Sequence, residues 1–221
     1  VGKKKLIHFQ ENLTFPFLFQ PPYPELYNGF PLRGNWNRSF FQNDHPVIAE
    51  LGCGKGEYTV GLGERNPAKN YIGIDLKGAR LWRGCKSVVE KDLKNIAFVR
   101  TRVDHILRVF GTSEIDELWI TFPDPQPKKE RLRLTSPVFI ERYREVLRSG
   151  GLLHLKTDDR DFYQYSLEVA MNEQLVVLRN TEDLYHDGIN DEVSAIQTFY
   201  EAKWLEMNKK ICYLLIKFPV K

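Results

Sequence analysis

What this 221-residue sequence lacks narrows its chemistry before any motif is considered. Its three cysteines, Cys53, Cys85 and Cys212, stand far apart and form no C-x-x-C pair. That argues against a zinc site and against a disulfide framework, and points to a reducing compartment. The five histidines (His8, His45, His105, His154 and His186) are equally scattered, and no catalytic cysteine or Ser–His pair stands out. They read as structural or surface residues, and no metal is expected. No apolar run approaches the length needed to span a bilayer, and the opening Val1-Gly2-Lys3-Lys4-Lys5 leads into no signal-peptide core. A cytoplasmic protein without a membrane partner is therefore expected. Internal repeats and low-complexity tracts are missing too, and no obligate protein partner is evident.

Positive charge is present but unevenly spread. The net charge is only +3, yet Lys77 to Arg102 holds eight basic residues against Glu90 and Asp92. Lys128 to Arg148 holds seven against three acids, whereas Thr181 to Glu201 holds six acids and no Lys or Arg. Basic segments of this kind suit a phosphate backbone, although solvated helix faces carry such charges as well.

The most informative stretch is Val47-Ile48-Ala49-Glu50-Leu51-Gly52-Cys53-Gly54-Lys55-Gly56. A short apolar run ends in an acid, three glycines alternate with other residues, and a helix can start at Glu57. Glycines at a strand-to-helix turn let a ligand approach the main chain closely. Asn70-Tyr71-Ile72-Gly73-Ile74-Asp75 reads as the next strand, and Asp75 ends it where a carboxylate can hold two ribose hydroxyls. The nicotinamide fingerprint G-x-G-x-x-G needs a third glycine where Glu57 stands. An acid before G-x-G-x-G and an acid closing the second strand instead resemble the S-adenosylmethionine fingerprint of Rossmann-like methyltransferases. A ligand-free Gly-rich turn is the plainer alternative.

Residues 1–44 differ from the rest: basic at the start, then aromatic and proline-rich from Phe15 to Pro24, with little periodicity. An extended arm is expected there, packing on the domain or ordering on a partner such as RNA. Residues 45–221 are expected to form one α/β domain. Strands are predicted at 46–52, 70–75, 95–100, 115–121 and 150–157, with helices at about 57–65, 77–91, 103–110, 135–148 and 159–172. That alternation implies a doubly wound parallel sheet with its ligand at the carboxyl ends of the strands. Residues 175–179 and 210–218 read as a closing antiparallel pair, giving a seven-stranded, mostly parallel sheet.

Carboxylates gather at the predicted strand ends. The strand 115–121 runs into Phe122-Pro123-Asp124-Pro125-Gln126-Pro127-Lys128-Lys129, so Asp124 lies at a carboxyl end, stiffened by flanking prolines. The strand 150–157 is followed by Asp158 and Asp159. Asp159 is expected to cap the next helix and Asp158, one residue nearer the strand, to face substrate. Thr198-Phe199-Tyr200-Glu201 opens a helical segment, for which a plain capping box from Thr198 to Glu201 fits equally well.

Taken in order, Glu50-x-Gly52-x-Gly54-x-Gly56, Phe122-Pro123-Asp124-Pro125 with Lys128-Lys129 and Arg133-Leu134-Thr135, Thr157-Asp158, and Thr198-x-Tyr200-Glu201 resemble one family. It is the bacterial tRNA (guanine-N7-)-methyltransferase family, and the resemblance covers roughly residues 46–206. It implies methyl transfer from S-adenosylmethionine to N7 of the variable-loop guanosine of tRNA, leaving S-adenosylhomocysteine. It further implies that Glu50, Asp75, Asp104 and Asp124, with Gly52, Gly54 and Gly56, serve the methyl donor, and that Asp124 is the catalytic carboxylate. Lys128, Asp158, Thr198, Phe199, Tyr200 and Glu201 would then contact the RNA. Gln126 departs from the usual Trp, the basic segment after Lys129 is shorter and carries Glu130 and Leu132, and Asp75 replaces the more frequent Glu.

The implied chemistry needs little acid–base machinery. Guanine N7 has an in-plane lone pair and no proton to lose. Transfer requires alignment with the sulfonium methyl, and a carboxylate facing the base as it becomes cationic. The N1–H and N2–H₂ donors lie on the opposite edge, where Glu201 or Asp158 can accept from them. Arg80, Arg83, Lys128, Lys129, Arg131 and Arg133, aided by the arm, form the expected RNA surface. Alternatives are an S-adenosylmethionine-dependent enzyme with another nucleic-acid or amino target, a nicotinamide-dependent reductase, and a non-catalytic RNA-binding protein. The first would carry D/N-P-P-Y/F, which Pro125-Gln126 does not match.

Overall fold

The aromatic, proline-rich opening is not an extended arm. In a computed structural model that describes residues 3–188 and 192–220, it forms α1 (Lys3–Glu11), β1 (Leu18–Phe19), α2 (Tyr23–Gly29) and a π-helical turn at Trp36–Phe41. Trp36 is fully buried and its indole N–H donates to the Val109 carbonyl at 3.1 Å. Phe19, Phe30, Phe40, Phe41 and Phe110 surround it, with ring centroids 5.4 to 6.3 Å away. Elements this short, one of them wound with i→i+5 bonds, leave neither a 3.6-residue nor a two-residue pattern in the sequence.

After it, β2 (Val47–Leu51), α3 (Glu57–Arg65), β3 (Asn70–Asp75), α4 (Gly78–Glu90), β4 (Ile96–Arg100), a 3₁₀ turn at Val103–His105 and α5 (Ile106–Val109) complete a first unit, Val1–Gly111. Its strands run parallel in the order β1-β4-β3-β2. Every residue of β2 and β3 is buried, as continuous apolar runs in parallel strands require. The N-terminal helix is fastened to α4. Asn12 donates to the Gly78 carbonyl at 2.8 Å, Trp82 donates to Glu11 at 2.6 Å, and His8 stacks on Trp82 at 3.7 Å.

The second unit, Thr112–Lys221, holds β5 (Ile115–Thr121), α6 (Pro137–Val146), β6 (Leu147–Thr157), α7 (Arg160–Asn172), β7 (Val176–Thr181), α8 (Glu192–Ala195), α9 (Phe199–Glu206) and β8 (Cys212–Lys217). The order is β5-β6-β8-β7, with β5 parallel to β6 and β8 antiparallel to both its neighbours. The closing antiparallel pair is therefore present. Eight strands occur among the described residues where seven were expected, the extra one being the two-residue β1. The units divide at Gly111 rather than at the expected arm boundary. Asp191, one of the six acids counted above, lies outside the described residues. No helix among the described residues is long and apolar enough to cross a membrane.

The three cysteines are all buried. Burial pushes the Cys85 thiol from its ordinary 9.0 to about 12 and that of Cys212 to about 11. Cys53 is raised as well, first by burial and then by the carboxylates of Glu50 and Asp75. A raised folded-state value means that the folded protein holds the proton more tightly. The associated stability is complete below pH 9.0 and is lost as pH rises through about 11 to 12. The melting temperature should fall across that alkaline window. A flat profile there would show that the thiols make no contribution.

Candidate active site

Glu50 lies near the end of β2 and is buried. Its carboxylate accepts from the backbone N–H of Thr59 at 2.8 Å and from the Thr59 hydroxyl. Thr59 is in the first turn of α3, so the strand's own acid satisfies a helix donor and fixes how the helix leaves the loop. Gly52 and Gly54, with φ of +76° and +58°, have open surroundings: a Cβ on either would meet nothing within 4 Å. Gly56 differs, because a Cβ there would lie 2.7 Å from the Phe98 ring. One glycine lets α3 pack, and the other two leave main chain accessible at the strand end.

Asp75 ends β3 and accepts from the Gly54 N–H at 3.0 Å and the Lys77 N–H at 2.6 Å. Asp104, in the turn after β4, pairs with Arg102 at 3.0 Å and stays partly exposed. Asp75 thus ends β3 beside the open glycine main chain, and Asp104 lies in the turn after β4. That cradle fits a ligand carrying ribose hydroxyls and an amino-bearing base, which S-adenosylmethionine is.

In the second unit Asp124 is exposed on a stiff turn. Phe122 and Gln126 on either side take left-handed conformations, φ +48° and +46°, which side chains adopt only when their surroundings insist. Asp124 accepts from the Gln126 N–H at 3.1 Å, Phe122 N–H donates to the Lys156 carbonyl at 2.8 Å, and Arg133 donates to the Pro125 carbonyl at 3.0 Å. The catalytic candidate is pinned from both ends.

Two residues past β6, Asp159 accepts from the Phe162 N–H at 2.7 Å and caps α7, as expected. Asp158 is partly exposed and pairs with Lys209 at 3.1 Å. Thr198 and Glu201 close a capping box on α9, with bonds of 3.2 and 3.3 Å. Glu201 is also 2.5 Å from the Lys156 ammonium and accepts from the Tyr185 hydroxyl at 2.6 Å. Both members of that ion pair are 0% exposed. Burial, and then the bond to Glu201, push the Tyr185 phenol well above its ordinary value. Next to them Phe199 and Tyr200 are 60% and 51% exposed and pack edge to face at 5.7 Å.

Comparison with known proteins identifies the family. A family described as "Putative methyltransferase" matches residues 44–214. The tRNA (guanine-N(7)-)-methyltransferase of Christiangramia forsetii is 49% identical over 224 residues, spanning 100% of this chain and 99% of that one. The chain belongs to the tRNA (guanine-N(7)-)-methyltransferase family. The protein of the same name from Bacteroides thetaiotaomicron is 44% identical, over 99% of this chain and 87% of its own. Among solved structures, the 16S rRNA methyltransferase KamB matches with a TM-score of 0.64 at 13% identity, covering 81% of this chain and 91% of that one. At that identity the likeness concerns the fold alone, and the fold is the Rossmann-like methyltransferase fold expected from the sequence.

As a member of this methyltransferase family, the chain brings its expected residues together in two groups. Around the glycine loop Gly54 donates to Asp75, and Glu50 accepts from Thr59 at the start of α3. The Asp124 turn and the Thr198–Glu201 run both bind Lys156, one through its carbonyl and the other through its ammonium. Two expectations need correction. Arg133, assigned to the RNA surface, is 6% exposed and lies under Tyr165 at 4.3 Å, where it holds the Asp124 loop. Glu201, assigned to the guanine edge, is fully buried with its carboxylate bound to three groups, the Lys156 ammonium, the Tyr185 hydroxyl and the Thr198 N–H. Thr59, Tyr185 and Lys209 were missed because nothing local marks them. Lys156 did carry a signal: a lysine between buried neighbours of a central strand must find a counter-ion. His154, read as structural or surface, stacks on Trp119 at 3.8 Å within the interior.

Proposed function

We propose that the protein transfers the methyl group of S-adenosylmethionine to N7 of a variable-loop guanosine in tRNA and releases S-adenosylhomocysteine. The observation that carries this reading is the full-length, 49% identical relative of that name. The first unit serves the methyl donor. Asp75 accepts the ribose hydroxyls, the open main chain at Gly52 and Gly54 admits the donor, Gly56 and Glu50 hold the loop in shape, and Asp104 receives the adenine amino group. The second unit serves the RNA. Asp158 accepts from guanine N1–H and N2–H₂, Phe199 and Tyr200 offer stacking faces, Thr198 sets their turn, and Lys128 meets phosphate.

The transfer moves a positive charge from sulfur to the guanine ring, and no proton leaves in that step. Asp124 offsets the charge as it arrives on the base. The opening residues of the first unit, with exposed Lys5, Arg33 and Arg38, add basic surface for tRNA.

Incubating the protein with a labelled methyl donor and an unmodified tRNA transcript, then mapping the product by mass, tests the reading. N7-methylguanosine in the variable loop is the expected product; a methyl on any other atom would assign the enzyme another target. Asp75→Ala should weaken donor binding by about 1–3 kcal/mol, the usual cost of losing a charged hydrogen-bond partner. Unchanged affinity by calorimetry would remove Asp75 from the site.

Lys128 and Lys129 are exposed. Reversing both charges should weaken tRNA binding and flatten its fall with rising salt, because fewer counterions are released, while donor binding stays the same. A salt slope equal to that of the wild type would place the RNA elsewhere.

A further inference from the structure

A buried lysine is costly unless its charge is matched, so the one beneath the RNA-facing turn calls for a reason. Lys156 is the next-to-last residue of β6, in its buried run and two residues before Asp158. Its ammonium binds Glu201 at 2.5 Å, the Val193 carbonyl at 2.6 Å and the Ile196 carbonyl at 3.4 Å. Three points on the segment from Val193 to Glu201 are thereby drawn to one strand end. Tyr185 adds a fourth through Glu201. The far end of α9 is fastened to the same strand end: Lys209 pairs with Asp158 at 3.1 Å and lies over the Trp204 ring at 3.9 Å.

We propose that the buried Lys156–Glu201 pair is a positioning device that sets Phe199, Tyr200 and Asp158 as one rigid surface before tRNA arrives. The proposal rests on the reading of that surface as the RNA site. Exposed aromatic rings lose rotamer freedom when a base stacks on them, and a turn already locked from below loses less on binding. The interior pair thus acts on affinity for RNA without touching it. Its two polar arms also explain why a stable apolar pair does not stand there. An apolar pair of the same volume would fill the space but would offer no donor to the carbonyls of Val193 and Ile196. The two fastenings differ in kind: the Lys156 pair is wholly interior, whereas the Lys209–Asp158 pair is partly exposed and can yield Asp158 to guanine donors.

The test compares wild type with the double variant Lys156→Met/Glu201→Leu, which removes both charges together and leaves neither stranded. With a tRNA transcript, KM for tRNA should rise about tenfold or more while kcat at saturating tRNA and donor affinity hold, the pattern of lost ground-state binding. A folded double variant with the wild-type KM would overturn the proposal and reduce the pair to a structural part. If the double variant fails to fold, Tyr185→Phe decides, since it removes one hydroxyl from Glu201. A raised KM then supports the device, and an unchanged one overturns it. Failure of the functional reading looks different: wild type itself would put no methyl on tRNA.

Discussion

Asp124→Asn is expected to lower turnover by about 10²-fold or more while tRNA and methyl-donor affinities change little, within the range seen when a preorganised electrostatic partner is removed. The substitution isolates charge. Asparagine can still accept the 3.1 Å bond from the Gln126 N–H, so the turn keeps its shape. The left-handed residues Phe122 and Gln126 and the Arg133 bond to the Pro125 carbonyl are untouched, so the side chain still points where it did. Only the negative charge is lost, which in the proposed mechanism faces a base that turns cationic. Single-turnover methylation of a tRNA transcript reads the chemical step directly. A fully active variant would mean that alignment alone accounts for the rate, with Asp124 reduced to holding the turn. Arg133→Ala should give a milder loss through a loosened loop, since it frees one end of that turn without touching the carboxylate.

Most of the α/β alternation was legible because its elements are long and their boundaries are marked by glycine, proline and capping residues. Predicted strands at 70–75 and 115–121 coincide with β3 and β5, and the helix expected at 57–65 is α3. The strand-end acids were legible for the same reason: once a parallel sheet is inferred, the residue after each strand falls at the ligand edge. The first 44 residues were not legible. Their cohesion comes from Trp36 and rings that reach it from Phe19 to Phe110, and contacts so far apart in the chain leave no local period. Burial of individual charges was hidden as well. Arg131 and Arg133 look alike in the sequence, yet Arg131 is exposed and Arg133 is interior. The sequence could show that Thr198 and Glu201 have capping-box spacing, and the structure confirms the box. It could not show that the same carboxylate also neutralises a lysine 45 positions earlier.

That second role makes Glu201→Gln a severe substitution for stability rather than a mild one for recognition. The amide has a single acceptor oxygen, so it can keep the bond from Tyr185 but not also the one from the Thr198 N–H to the other carboxylate oxygen, while the shape is nearly kept. What disappears is the counter-ion of a fully buried ammonium. Stranding one member of a buried pair typically costs about 3–5 kcal/mol, and mutual attraction no longer offsets desolvation. Chemical denaturation should show a loss of that order near neutral pH. The variant has one way to relieve it, which is for Lys156 to give up its proton in the folded state. The folded form would then bind fewer protons than the unfolded chain, so the variant's deficit should shrink as pH rises toward the ordinary lysine value of about 10.4. The wild type gains nothing from that route, because its ammonium already has a partner. The comparison must be a difference between the two proteins at each pH, since the buried thiols destabilise both above pH 9.0. A loss below about 1 kcal/mol, the size of an exposed pair's contribution, would mean that water reaches the pair. A pH-independent loss would mean that the amide disturbs packing and not charge.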